Sequence, residues 1–268
     1  MSKKNFSIKR IHGVYLLKDD VMFPYFLNHR SWDGELVDHF VKLLKLNSCK
    51  LDKCIVFDIG SNQGLFSYQL IQGLGSTPVK IIAVEPHPLY FYIASLNLSR
   101  YNNVVFKNFA LVPEHTIYSN FEPNSLKFTS SNATATFFTH NIRNMAGLSE
   151  PVREVQVWSK KASDFFNEIN KEYVDYEFYM KIDIDGNDFD IALRALDIFG
   201  PNLHSLSFEL TSQELSIWSS KKIQEFLKLL ENFSDVIHIG KSGILRKNDL
   251  INKISLKKLD TGDIYLCN

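Results

Sequence analysis

One stretch restricts the fold of this chain more than any other. From Val56 the sequence reads V-F-D-I-G-S-N-Q-G, an amphipathic segment follows, and a second apolar run ends in Glu85-Pro86. An apolar strand closing on Asp58, a Gly60-x-x-x-Gly64 turn, a helix and a second strand closing on Glu85 compose a nucleotide-cradling βαβ unit. Gly60 lets the chain turn sharply off the strand, and Gly64 lets the next helix pack closely against the sheet, so the amides between them are expected to face a ligand. Glu85 lies 21 residues after Gly64. There an acidic side chain can accept hydrogen bonds from both ribose hydroxyls and would repel a 2′-phosphate. The pairing predicts a bound adenosine cofactor.

The spacing also discriminates between cofactors. A dinucleotide site uses G-x-G-x-x-G so that backbone amides and a helix N-terminus can cradle a pyrophosphate. The second and third glycines of that register are missing here. Asp58, two residues before the turn, would sit badly beside a diphosphate but suits a ligand with an ammonium and a sulfonium group. S-adenosylmethionine carries both. The plain alternative, an ordinary strand-to-helix turn, explains D-x-G-x-x-x-G alone but not Glu85-Pro86 at the right distance.

Length and composition set the outer bounds. The 268 residues are 45% hydrophobic, enough for a substantial core, and 30 basic residues balance 30 acidic ones. Zero formal charge argues against a broad nucleic-acid surface. Lys3, Lys4, Lys9 and Arg10 are not followed by an apolar segment of signal-peptide length, and no run reaches transmembrane length, so a cytoplasmic protein is expected. Cys49, Cys54 and Cys267 are too few and too irregular for a disulfide framework or a zinc site.

Along the chain, residues 13–27 are apolar and aromatic without clear period. Ser31 and Asp33 then precede a helix-period run from Leu36 to Leu44. Strand 54–59, helix 62–73, strand 80–84, helix 88–101 and strand 104–108 follow, an alternation that predicts a parallel sheet. The pattern breaks over 112–176, which is read as an insertion with strand-like runs Ala133–Thr139 and Val152–Trp158 and a short helix near 162–170. Regularity returns with strand 178–184, helix 187–199 ended by Gly200-Pro201, strand 203–210, a helix carrying Ile223 to Phe233, and a terminal antiparallel couple of 236–239 with 263–267. The division expected is an amino-terminal segment and helix over 1–48 packed on a domain spanning 49–268.

A second constellation lies at Y-M-K-I-D-I-D-G-N-D, residues 179–188. Lys181 and Asp183 are two apart on a strand and share a face. Charged residues in an apolar strand demand a mutual ion pair or a ligand. Asp185 and Asp188 fall where Asp is also a good helix-start residue. Glu209, ending the next strand, could reach the same cleft. Asp183, Asp185 and Glu209 offer oxygen ligands suited to magnesium, but acids at strand ends have other roles and no metal is assigned. His87 could lie over the adenine but is read as a helix-start residue, and His29, Arg30 and Trp32 could form a lid over the cofactor, with Trp32 read instead as packing on the first long helix.

With both constellations in hand, the chain resembles the FkbM-type S-adenosylmethionine-dependent methyltransferases. That family's D-x-G-A-N-x-G and later A-x-E-P are similar to Val56–Gly64 and Ala83–Pro86. Its K-x-D-x-E-G-x-E is similar to Lys181, Asp183, Asp185, Gly186 and Asp188. Ser61 replaces Ala, and Asp replaces Glu at 185 and 188, which shortens reach but keeps charge. The resemblance covers about 54–210. It implies an α/β, Rossmann-like class I methyltransferase fold: a mostly parallel seven-stranded sheet flanked by helices, with an inserted hairpin region. It also implies transfer of the sulfonium methyl to an oxygen of a small-molecule or glycan acceptor, commonly a sugar hydroxyl. Asp183 is then the general base or orients the acceptor, with Lys181 fixing its geometry and Glu209 a second candidate. Asp58, Gly60, Ser61, Asn62 and Gly64 surround the methionine part, and Glu85 with Pro86 meets the ribose. The rival readings are a catalytically silent binding module and a nicotinamide-dependent reductase.

Overall fold

A computed structural model of the chain describes residues 7–18, 20–46, 48–114, 125–130, 135–136, 153–184, 186–240 and 243–268. The aperiodic amino-terminal region resolves into a hairpin of β1 (Ile8–Ile11) and β2 (Val14–Leu17), then helices α1 (Met22–His29) and α2 (Gly34–Leu46). The central run is β3 (Cys54–Ile59), α3 (Leu65–Leu74), β4 (Lys80–Val84), α4 (Pro88–Leu98) and β5 (Val104–Lys107). Every residue of β3 is buried, as expected for a strand covered on both faces of a parallel sheet.

Beyond β5 come β6 (Ala110–Val112), just ahead of the insertion expected over 112–176, and then β7 (Ser125–Ser130), β8 (Ala135–Thr136) and β9 (Arg153–Lys161), which together form their own four-stranded sheet in the order β6-β9-β7-β8. The strand expected over 133–139 is described only at Ala135–Thr136, its other positions lying outside the described residues, as do Val152 and Asp185. The run expected to end at Trp158 continues to Lys161 because β9 pairs in parallel with β6. The chain then proceeds through α5 (Ala162–Glu172), β10 (Glu177–Ile182), α6 (Asp188–Phe199), β11 (Leu203–Leu210), α7 (Ser212–Ile217) and α8 (Ser220–Glu231). It closes with β12 (Asp235–Gly240), β13 (Gly243–Arg246), α9 (Lys247–Ser255) and β14 (Gly262–Cys267).

The main sheet has eight strands in the order β13-β12-β14-β11-β10-β3-β4-β5, not the seven expected. The extra strand is β13, which hairpins onto β12 with Gly240 opposite Gly243. Its mostly exposed residues carry no apolar alternation to betray it in the sequence. Strands β11, β10, β3, β4 and β5 are parallel, and β14 runs antiparallel between β11 and β12, the predicted terminal couple. From β3 the chain crosses by α3 to β4 on one side, while β10 takes the other side. The carboxyl ends of β3 and β10 therefore open a crevice at the point where strand order reverses.

Aromatic packing holds the sheet to its helices. Phe57 on β3 is fully buried and meets Phe178 on β10, Phe165 and Phe166 on α5, and Phe199 on α6, with centroids 5.7–6.1 Å away. Cys54 and Cys267 form no disulfide among the described residues. The hairpin is stitched to the Gly60–Gly64 turn by buried amides. Gln63 Oε1 accepts from the Leu17 backbone at 2.8 Å, and Asn97 Nδ2 donates to the carbonyls of Gln63 and Tyr15 at 2.8 and 2.9 Å.

Gly64 has φ +79°, and a Cβ there would lie 2.9 Å from Leu98 Cδ1 and 3.2 Å from Ala94 Cα. The close approach it permits is thus between α3 and α4, rather than between α3 and the sheet. Gly64→Ala should lower stability by about 1–3 kcal/mol through backbone strain and the displaced α4 contact. Chemical denaturation checks this, and an unchanged midpoint would contradict it.

Candidate active site

A cleft of about 320 Å³ opens at the carboxyl ends of β3, β4, β10 and β11. Gly60 lies in its wall. With φ +77°, a Cβ at this position would stand 1.8 Å from the Asp183 carbonyl oxygen, so the ends of β3 and β10 meet backbone to backbone and only glycine fits.

The turn does not present its amides as the sequence suggests. Gly60 and Ser61 both donate their N–H groups to the Val84 carbonyl, at 2.9 and 3.0 Å, and Gly64 N–H donates to Ser61 O at 2.8 Å. Asn62 N–H donates to Glu85 Oε2 at 2.8 Å. These donors are spent on β4 and on the turn itself because the strand ends must be satisfied once water is excluded. A loop so arranged has little to offer a pyrophosphate. What it shows the cleft instead is an acceptor: Asn62 Oδ1 is buried and has no protein partner. A ligand bearing N–H or O–H donors fits that atom, and S-adenosylmethionine has them on its ribose, adenine and amino groups.

Glu85 is buried at the end of β4, its Oε1 accepting from the His87 amide and its Oε2 from the Asn62 amide, both at 2.8 Å. Burial pushes its pKa up to about 7, against the pull of these two amides. Each oxygen keeps a lone pair for a hydroxyl donor. His87 begins α4, its Nδ1 accepting from the Leu89 amide at 3.3 Å, as its reading as a helix-start residue requires.

Lys181 is the electrostatic centre. The residue is 5% exposed, and its ammonium lies 3.2 Å from Asp183 Oδ2 and 3.5 Å from Asp58 Oδ1 and donates to the Gly60 carbonyl at 3.1 Å. Burial alone would depress its pKa, but the carboxylates of Asp183, Asp58 and Asp33 outweigh that and hold it above the ordinary lysine value. Asp58 is fully buried, with Ser67 Oγ donating to its Oδ2 at 2.6 Å. It stands behind the cleft wall and touches the cavity only through Lys181. Asp188 is also buried, and its carboxylate accepts the amides of Ile184 and Gly186 at 3.0 Å, closing the loop around Asp185, which lies outside the described residues.

Of the residues marked in the sequence, Gly60, Ser61, Asn62, Glu85, Pro86, Lys181, Asp183 and Glu209 line the cleft, while Asp58 and Gly64 do not. Trp32, Asp33 and Asp263 are among the wall residues given no site role from the sequence. Trp32, read as packing on the first long helix, meets Tyr25 of α1 edge-on at 5.3 Å and also lines the cleft. Asp33, read as a helix-start residue, adopts φ +51° and turns its carboxylate inward. A non-glycine residue with positive φ ahead of a helix is a strained choice that a functional wall can explain. Asp263, on β14 opposite Glu209, enters only because the antiparallel strand folds back beside β11.

The acids crowd one another. Burial first, then the neighbouring carboxylates of Asp183, Asp263, Asp188 and Glu214, push Glu209 up to about 8. Burial and nearby acids likewise bring Asp33 and Asp263 to about 6. Among the described residues, no three His, Cys, Asp or Glu side chains converge as metal ligands. The cleft is thus a proton-holding, acid-rich chamber with one buried ammonium in its floor.

A family model described as the methyltransferase FkbM domain matches residues 58–237, two thirds of the chain. No curated protein sequence matches. Among solved structures of similar shape is the O-methyltransferase from Bacillus cereus in complex with SAH. It is 15% identical, with 86% of this chain and 81% of that one covered, at a TM-score of 0.40. The SAM-dependent methyltransferase from Agrobacterium tumefaciens is 12% identical, with 100% and 71% covered, at 0.41.

Removing the ammonium leaves Asp58 and Asp183 without their cation. Lys181→Met should destabilise the fold by about 3–5 kcal/mol, and adding Asp58→Asn should recover a large part of that loss. A thermal-unfolding double-mutant cycle with no coupling would refute the assignment.

Proposed function

The chain belongs to the methyltransferase FkbM domain family and uses S-adenosylmethionine as methyl donor; from that premise we propose that it methylates an oxygen, a hydroxyl of a sugar, glycan or related biosynthetic intermediate. The observation that carries this reading is the carboxyl of Glu209, with a pKa of about 8, lining the same cleft as Asp183. An alcohol must lose its proton as the methyl–oxygen bond forms, and a carboxylate titrating near working pH is suited to take it. An acid of ordinary carboxylate pKa would be a poorer acceptor.

In this proposal the bound cofactor supplies an electrophilic methyl group on a sulfonium. Everything else falls to the chain. Asp183, pinned by Lys181, orients the acceptor hydroxyl, and Glu209 receives its proton. Glu85 accepts from the ribose hydroxyls, Asn62 Oδ1 takes a further donor, and Pro86 and Tyr90 line the adjoining wall. Gly60 and Ser61 border the methionine part, and Asp58 acts from behind by holding Lys181. Holding nucleophile and methyl carbon in line can supply several kcal/mol of the barrier reduction, and the base roughly 10² to 10⁴ in rate.

The direct check supplies isotopically labelled S-adenosylmethionine with a panel of monosaccharides, nucleotide sugars and oligosaccharides, and locates the label by mass spectrometry. A methyl ether is expected, and label on nitrogen or carbon would overturn the proposal. Asp183→Asn and Glu209→Gln should each lower kcat about 10²-fold with cofactor affinity nearly intact. Full turnover by Asp183→Asn would remove that residue from the chemistry. Glu85→Ala should weaken S-adenosylmethionine by roughly 10- to 100-fold, the worth of a charged hydrogen-bond acceptor.

The raised carboxyl pKa values give a further expectation with a definite sign. Between about pH 5 and 9 Asp33 and Asp263, then Glu85, then Glu209 lose protons progressively in the free protein. A sulfonium and an ammonium favour the ionised acids, so cofactor binding should release protons and tighten as pH rises through this window. Calorimetry in buffers of different ionisation enthalpy measures both, and proton uptake on binding would contradict the assignment.

A further inference from the structure

Phe109 belongs to the walls of two cavities. It lines the methyl-transfer cleft and also a more open groove of about 860 Å³, bounded by Asn108, by Trp158–Lys161 of β9 and by the polar face of α5. The two are joined structurally. Asn108 Nδ2 donates to the Glu85 and Pro86 carbonyls at 2.8 and 3.2 Å, tying the groove's inner rim to the cofactor loop. Ala110 lines the cleft, and its ladder partner Ser159 lines the groove.

Trp158 sets the chemistry of this groove. Its residue surface is 62% exposed, whereas Trp218 is 6% exposed. A large indole left in water beside a cavity is a platform for a ligand with one flat apolar face. Around it stand hydrogen-bonding groups. Asp164, Asn167 and Lys171 recur at helical spacing along α5 and line the groove together. Lys160 is paired with Glu168, so Lys161 and Lys171 against Asp164 leave the groove a net charge of about +1. That is too weak a field for a phosphate backbone, which needs a basic stripe.

We propose that this groove is the seat of a pyranose ring of the acceptor, remote from the hydroxyl that is methylated, with the ring's C–H face on Trp158 and its hydroxyls paired to Asn167, Asp164 and Lys171. The ring is neutral or carries a single carboxylate. The acceptor is then at least a disaccharide or a glycoconjugate, one sugar in the cleft and the next across Phe109. This rests on the sugar O-methylation reading and adds to it where specificity resides.

The test uses the full chain saturated with S-adenosylhomocysteine on an array of oligosaccharides, beside the Trp158→Ala and Asn167→Ala variants, with a ten-nucleotide uridine RNA as a separate probe. Selective binding of at least one glycan class is expected, weakened tenfold or more in both variants, with calorimetric affinity for S-adenosylhomocysteine within about twofold of the unmodified chain. Binding unaffected by both substitutions, or Trp158-dependent binding of the RNA in place of any glycan, would overturn the inference. Cofactor binding without glycan binding would defeat this inference alone. Loss of cofactor binding by the unmodified chain would defeat the reading beneath it.

Discussion

The buried ammonium of Lys181 is the constraint on which the site depends. It lies where the carboxyl ends of β3 and β10 meet, bonded to the Gly60 carbonyl and flanked by Asp58 and Asp183. Desolvating an ammonium costs several kcal/mol, and it is tolerated only because two carboxylates and a carbonyl converge on it. In return it ties together two strands that separate in sequence but adjoin in space, at the position where the strand order reverses and a crevice must open. Gly60 makes this approach possible, since any side chain there would collide with the Asp183 carbonyl.

From that junction the cofactor loop follows. Its N–H groups turn inward to Val84 and Glu85, leaving acceptors rather than donors toward the cavity. The acids of β10, β11 and β14 then line one chamber with a single opposing cation. Burial first, and then the neighbouring carboxylates, raise the pKa values of Glu209 and Asp263, and of Asp33 facing the same cleft, toward the neutral range. A cationic methyl donor would relieve that crowding.

Much of this was legible in the residues themselves. The D-x-G-x-x-x-G turn and Glu85-Pro86 pointed to one end of the cleft, because close backbone approach and strand-end acids impose particular residue types at fixed spacing. Lys181 and Asp183 were legible for the opposite reason: charges in an apolar strand have no place without partners. The βα alternation around them was equally plain. The amino-terminal hairpin was not, since its short strands lack a clean period, and neither was β13, an exposed edge strand without an apolar face.

The sequence by itself determined the local units, the cofactor class and the two strand ends that line the cleft, since each rests on interactions between residues close along the chain or on the intolerance of the core for unpaired charge. Only the tertiary structure decided how those units share a cavity. It turned Asp33 from a helix-start residue into a wall of the cleft and brought Asp263 opposite Glu209 across an antiparallel pairing. It withdrew Asp58 behind Lys181 and set Trp158 beside Phe109. Each of these depends on which strands become neighbours, and neighbour choice is fixed by the packing of the whole sheet rather than by any segment's own pattern.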